Sequence, residues 1–176
     1  MSHKPNFPSK HMIKKGKIRI LFICLGNICR SPAANGIMQK MVDERGITQQ
    51  FYIDSAGIGN WHVGDLPDAR MRRHGQSRGY NFNHHARQFD ATSDFNNFDL
   101  IITMDEDNYR TITRMAHGDD ERKKIVRMTN YLKRNPHATS VPDPYYGGES
   151  DFELALDLIE DGCENLLNEL MESTYV

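Results

Sequence analysis

The chain has 176 residues, enough for one domain with its own core and short for two. Hydrophobic residues at 38% and charged residues at 26% are the proportions of a globular chain rather than a disordered or fibrous one. A formal charge of −2 and apolar runs of only a few residues point away from nucleic acid, anionic membrane surfaces and a transmembrane span.

Residues 1–16 carry basic side chains but no apolar stretch behind them, so no signal peptide is expected. They read as a polar tail ahead of a single domain over 17–176. The three cysteines are Cys24, Cys29 and Cys163. An odd, low count without an export signal argues for the reducing cytoplasm and against a disulfide framework.

A β-branched apolar run at 17–24 predicts a buried parallel strand that stops at Gly26-Asn27. Ser31 then suits a helix N-cap and Pro32 the first helical position. Ala34, Ile37, Met38, Met41 and Val42 recur at helical spacing, and Gly46 closes the helix. A second strand is predicted at 51–54, a glycine-containing loop at 56–65 and a helix at 68–78. The run 98–104 predicts a third strand. Asp105 is placed to cap a helix reaching residue 117, with Tyr109, Ile112 and Met115 on one face. A fourth strand is predicted at 125–128. A loop rich in Pro, Gly and Tyr follows at 135–149. A final helix over 151–172 should bury Phe152, Leu156, Ile159, Cys163, Leu166 and Leu170. Strands alternating with helices predict an α/β fold with a parallel sheet. In such folds ligands bind beyond the carboxyl ends of the strands.

The turn after the first strand reads Cys24-Leu25-Gly26-Asn27-Ile28-Cys29-Arg30-Ser31, or C-x5-R-S. Successive backbone N–H groups at a helix start form an anion-binding nest, and the helix dipole adds to it. Gly26 and Asn27 tolerate the positive φ of a tight cradle. Arg30 offers a planar fork to two phosphate oxygens. Cys24, at the mouth of this cradle, is the expected thiolate nucleophile. Ionisation alone explains little: a thiol of pKa about 8.5 is roughly 3% ionised at pH 7, so full ionisation gains only about 30-fold. Positioning and charge stabilisation by Arg30 and the loop amides must supply most of the rate. A proton donor for the leaving group is also needed.

The segment LFICLGNICRSPAANGI resembles the phosphate loop of low-molecular-weight protein tyrosine phosphatases. Asp143-Pro144-Tyr145-Tyr146-Gly147 resembles that family's second motif, and the likeness runs from about residue 18 to 170 through DSAG, WHVGD, RRHG, HHARQF and MDEDNYR. The resemblance implies a three-layer fold, a four-stranded parallel sheet with helices on both faces. It implies Cys24 as nucleophile, forming a cysteinyl-phosphate, and Arg30 as the phosphate ligand. Asp143 would be the general acid and then the base. The backbone of Leu25, Gly26, Asn27, Ile28 and Cys29 would bind phosphate alongside Arg30. Asn27 would hold the loop, helped by Ser55 and His84, and Ser31 would hydrogen-bond the Cys24 sulfur. Trp61, Tyr145 and Tyr146 would form the slot for a phosphotyrosine ring. The implied partners are phosphotyrosine proteins, with inorganic phosphate and other oxyanions as inhibitors. No metal or organic cofactor is implied, and the chain is expected to act as a monomer.

Plainer readings stand beside these. Asp143, between two prolines, suits a turn; Trp61, Tyr145 and Tyr146 suit loop or rim packing. Arg70, Arg72, Arg73 and Arg78 suit a solvated helix face. Cys163 falls on the apolar stripe of the last helix. His62, His74, His84 and His85 lack metal-ligand spacing. Cys29 either lends only its backbone N–H or pairs reversibly with Cys24 on oxidation. Arsenate reductases of this fold carry mid-chain cysteines, and residues 30–162 hold none. Arginine-phosphate phosphatases carry Thr where this chain has Ile28. A non-catalytic phosphate-binding module would not need both Cys24 and Asp143, 119 positions apart.

Overall fold

A computed structural model describes residues 16–174, with side chains through residue 172. The tail expected at 1–16 lies almost wholly outside the described residues. The chain runs β1 (Ile18–Cys24), α1 (Arg30–Glu44), β2 (Phe51–Gly57), α2 (Ala69–Ser77), α3 (Asp94–Asn97), β3 (Leu100–Thr103), α4 (Glu106–Met115), α5 (Asp119–Arg122), β4 (Ile125–Arg127) and α6 (Glu149–Thr174). The four strands form one parallel sheet in the order β2-β1-β3-β4.

Alternation along β1 sends Ile18, Ile20 and Phe22 to one face of the sheet and Leu21 and Ile23 to the other. The first face packs against Ile37 and Met38 of α1 and Leu156, Ile159 and Leu166 of α6. The second face carries a smaller, aromatic core of Phe89, Phe95 and Phe98 with Ile112 of α4. Cys163 is fully buried in the first core, where burial pushes its thiol pKa up. Sequence order reverses at β1, which neighbours both β2 and β3, so the crevice between the ends of β1 and β3 is the switch point of the sheet.

Several element limits differ from the sequence expectation for physical reasons. β2 continues to Gly57 because Ser55, Ala56 and Gly57 pair in register with Phe22, Ile23 and Cys24, although these small residues are weak strand formers. Ser31 is not the cap of α1. The helix begins at Arg30, Cys29 is its N-cap without a side-chain hydrogen bond, and the Ser31 hydroxyl is used elsewhere. α4 ends at Met115, which is 38% exposed rather than on the buried face. Asn108 is buried with Ile112 instead, its Oδ1 accepting from the Met104 N–H.

Candidate active site

The loop between β1 and α1 is held by its carbonyls. Those of Cys24, Leu25 and Ile28 accept from the N–H groups of Ile58, Gly59 and Asp68 at 3.0, 2.9 and 2.8 Å. A trans peptide points its C=O and the following N–H in opposite directions. Tying these carbonyls outward therefore turns the N–H groups of Leu25, Gly26 and Cys29 inward. The uncapped N-terminus of α1 adds its free amides and positive dipole end to the same hollow.

Asn27 locks the loop from behind. It is fully buried and is the only described non-glycine residue with positive φ, at 57°. Its Nδ2 donates to Ser31 Oγ at 2.8 Å and Ser55 Oγ at 3.0 Å. Its Oδ1 accepts from His84 Nε2 at 3.0 Å and the Arg87 N–H at 2.9 Å. His84 must then carry its proton on Nε2. Burial lowers the pKa of this imidazole, with Asp54 opposing and Arg87 assisting the shift. Since Ser31 Oγ accepts from Asn27, its own proton is free for Cys24 Sγ, 2.9 Å away. Gly57 makes room for the loop, because a Cβ there would lie 2.9 Å from the Gly26 carbonyl carbon and 3.0 Å from the Asn27 nitrogen.

Arg30 is 2% exposed. One terminal nitrogen donates to Asp105 Oδ2 at 2.7 Å and to the Val141 carbonyl at 2.9 Å. The other lies 3.6 Å from Asp143 Oδ2. Burial opposes its charge, but Cys24 and Asp105 outweigh this and raise its pKa. Asp105 comes from the end of β3 and also caps α4 through the Asn108 N–H at 2.7 Å. Val141 is anchored by its N–H to the Met104 carbonyl at 2.8 Å. Arg30 thus bridges the switch point.

A cleft of about 340 Å³ opens over this floor. Cys24, Leu25, Gly26, Ile28, Cys29 and Arg30 line its base, and Trp61, His62, Tyr145 and Tyr146 its sides, with Asp143 between. Trp61 and Tyr146 are 68% and 94% exposed, so they are rim residues. Tyr145 meets Tyr146 edge-on at 4.8 Å. Asp143 does make a turn, Oδ1 accepting from the Tyr145 N–H at 3.1 Å, and it also faces the cleft. Cys29 is buried, and burial, with Asp68, Cys24 and Asp143 adding, pushes its thiol pKa up. Every residue predicted for the site from sequence thus lies in or directly behind one cleft. Asp105, Val141, His62 and Arg87 were missed as site residues. Asp105 gave only a capping signal, and Val141 acts through its backbone, which carries no sequence signature.

Of the arginines at 70–78, Arg73 is solvent-exposed as expected, 3.6 Å from exposed Glu149, while the other three are half-buried and bonded. Arg78 pairs with Glu153, Asp157 and Glu160 of α6, Arg72 Nε donates to the Pro67 carbonyl at 2.9 Å, and Arg70 reaches Tyr145. Among the described residues no group of three or more His, Cys, Asp or Glu is placed to hold a metal, and no helix is long and apolar enough to cross a membrane.

An amide-lined cradle with a buried arginine, at the switch point of a small doubly wound sheet, defines the class: a phosphate-binding protein on an α/β scaffold. Residues 19–175 match the family model of the low molecular weight phosphotyrosine protein phosphatases. A Synechocystis sp. protein named to the low molecular weight protein-tyrosine-phosphatases is 46% identical over 153 residues, 87% of this chain and 96% of the relative. The crystal structure of a protein tyrosine phosphatase from Entamoeba histolytica, with Hepes in its active site, superposes with TM-score 0.85 at 42% identity, covering 90% of this chain and 99% of the other. A drosophila arginine phosphatase superposes with TM-score 0.79 at 33% identity, covering 87% and 98%. The chain belongs to the low molecular weight phosphotyrosine protein phosphatases, a family of hydrolases.

Proposed function

We propose that hydrolysis proceeds through a phosphate ester of Cys24. The sulfur attacks phosphorus, an S–P bond forms and the P–O bond to the aryl group breaks. Asp143, protonated, gives its proton to the departing phenolate oxygen. In the second step water attacks phosphorus, Asp143 takes the water's proton, the S–P bond breaks and inorganic phosphate leaves. Arg30 and the amides of Leu25, Gly26, Asn27, Ile28 and Cys29 hold the phosphoryl oxygens as charge shifts among them. Ser31 donates to the sulfur when it departs as thiolate. Asn27, Ser55 and His84 keep the cradle in shape.

The observation that carries this reading is the convergence of Cys24 Sγ, its Ser31 partner and the Arg30–Asp143 pair on one cleft. Trp61, Tyr145 and Tyr146 suit an aryl ring, and apolar Ile28 offers nothing to a guanidino group, so phosphotyrosine is preferred to phosphoarginine. We further propose that the chain acts as a monomer in the cytoplasm, its odd count of three cysteines arguing against a disulfide framework. Inorganic phosphate should compete for the cradle.

The test is acid-quenched turnover with phosphotyrosine peptide. Wild type should yield a phosphate adduct on the Cys24 peptide. Cys24→Ser should lose activity almost entirely, and Asp143→Ala should lose about 10²–10⁴ in kcat/KM for phenyl phosphate. Turnover by Cys24→Ser near the wild-type rate rejects the mechanism, and faster release from phosphoarginine peptide rejects the specificity.

A further inference from the structure

Arg70, in the first turn of α2, is where both halves of the cleft are joined. Its Nε lies 3.1 Å from Asp68 Oδ1 and a terminal nitrogen 2.9 Å from Asp68 Oδ2, a fork-on-fork pair. That same terminal nitrogen donates to the Tyr145 carbonyl at 2.9 Å. The guanidinium lies 5.6 Å from the Tyr145 ring centre and 4.8 Å from that of buried Phe152 in α6. Asp68 is fixed in turn: its N–H donates to the Ile28 carbonyl at 2.8 Å, and its carboxylate caps α2 through the Arg70 N–H at 2.8 Å. Burial works against the Asp68 charge, but the hydrogen bonds from Arg70 outweigh it and hold the carboxyl below its usual range.

A continuous path therefore runs from the cradle carbonyl of Ile28 through Asp68 and Arg70 to Tyr145. The Tyr145 N–H is bonded to Asp143 Oδ1, so the path ends on the cleft carboxylate. The loop over 142–148 otherwise has no helix or strand of its own. We infer that Arg70 is a positioning residue that sets the 143–146 loop over the nucleophile, so that Asp143 meets the leaving-group oxygen. The inference rests on the reading of Asp143 as the acid. Lys cannot replace it, because one ammonium cannot fork onto Asp68 and reach the Tyr145 carbonyl together.

The experiment compares kcat/KM for phenyl phosphate, whose leaving group needs a proton, with dinitrophenyl phosphate, whose leaving group does not. Arg70→Ala and Arg70→Lys should lose about 10-fold on the first ester and no more than about 2-fold on the second. In an Asp143→Ala background Arg70→Ala should cost less than about 2-fold more on either ester, since residues acting as one unit are not additive. Binding of inorganic phosphate, read by the fluorescence of Trp61, the single tryptophan, should be unchanged in Arg70→Ala. Equal losses on both esters, an additive double variant or weakened phosphate binding would make Arg70 a general support of the fold and overturn the inference. A flat ester series in Asp143→Ala itself rejects the acid assignment and the inference together. A graded Asp143→Ala series beside a flat Arg70→Ala series rejects the inference alone.

Discussion

Replacing Asn27 by alanine removes the pin behind the cradle, and the cost can be worked from its four hydrogen bonds. Two are donated to Ser31 and Ser55, and two are accepted from His84 and Arg87. Each contributes about 1 kcal/mol net, which gives about 4 kcal/mol. Alanine also bears about 1 kcal/mol of left-handed strain at φ 57° that asparagine relieves through its local bonding. The sum, about 5 kcal/mol, is comparable to the whole stability of a small domain. Asn27→Gly loses the bonds without the strain and should be destabilised by about 4 kcal/mol. Urea unfolding followed by far-ultraviolet circular dichroism gives both values. Both variants should also lose kcat/KM, because the freed Ser31 hydroxyl and the cradle backbone no longer have fixed positions. Alanine within about 1 kcal/mol of wild type would refute the reasoning about the bonds. Alanine and glycine unfolding at the same urea concentration would refute the part about strain.

Two further outcomes follow from the same region. Gly57→Ala places a methyl 2.9–3.1 Å from atoms of Gly26 and Asn27, none of them the end of a flexible side chain. Overpacking of about 1–3 kcal/mol is expected, with kcat/KM down about 10–100-fold as the cradle shifts; wild-type kinetics would show that the loop yields freely. His84 has a native pKa below its ordinary 6.5, so between those values the unfolded chain binds more protons. Its contribution to stability is therefore complete above pH 6.5 and is lost as the pH falls towards the depressed native value. Carboxylates held low, such as Asp68 and Glu153, act only near and below their ordinary 3.8 and 4.5, which leaves the interval above for His84. Urea midpoints of wild type should decline below pH 6.5 and those of His84→Gln should not; parallel curves would contradict the assignment.

The cradle was legible because its chemistry is written in one contiguous stretch, between a run of strand formers and a run of helix formers. The last helix was legible because its apolar stripe is long. What escaped was what the tertiary fold decides. Ser31 has the composition of a cap, yet its hydroxyl is claimed by Asn27 and Cys24 once the loop curls back. Asp105 was visible as a cap of α4, but that its second oxygen would hold Arg30 depends on β1 and β3 being neighbours in the sheet. Arg70 shares its surroundings in the sequence with three other arginines, and only the packing of α2 against the loop over 142–148 separates it from them. Sequence periodicity reports which face of a helix is buried, not which residue of the polar face meets another loop.

The bridging of the switch point by Arg30 has a consequence for biosynthesis. Asp105 must arrive on β3, and Val141 must dock on Met104, before the guanidinium is fixed. The loop that carries Cys24 and Arg30 is made before these partners, and the guanidinium stays unfixed until the 110 residues from 32 to 141 have followed. In a refolding experiment the return of turnover should therefore date the docking of Val141 on Met104, after β4 is in place, rather than the first collapse.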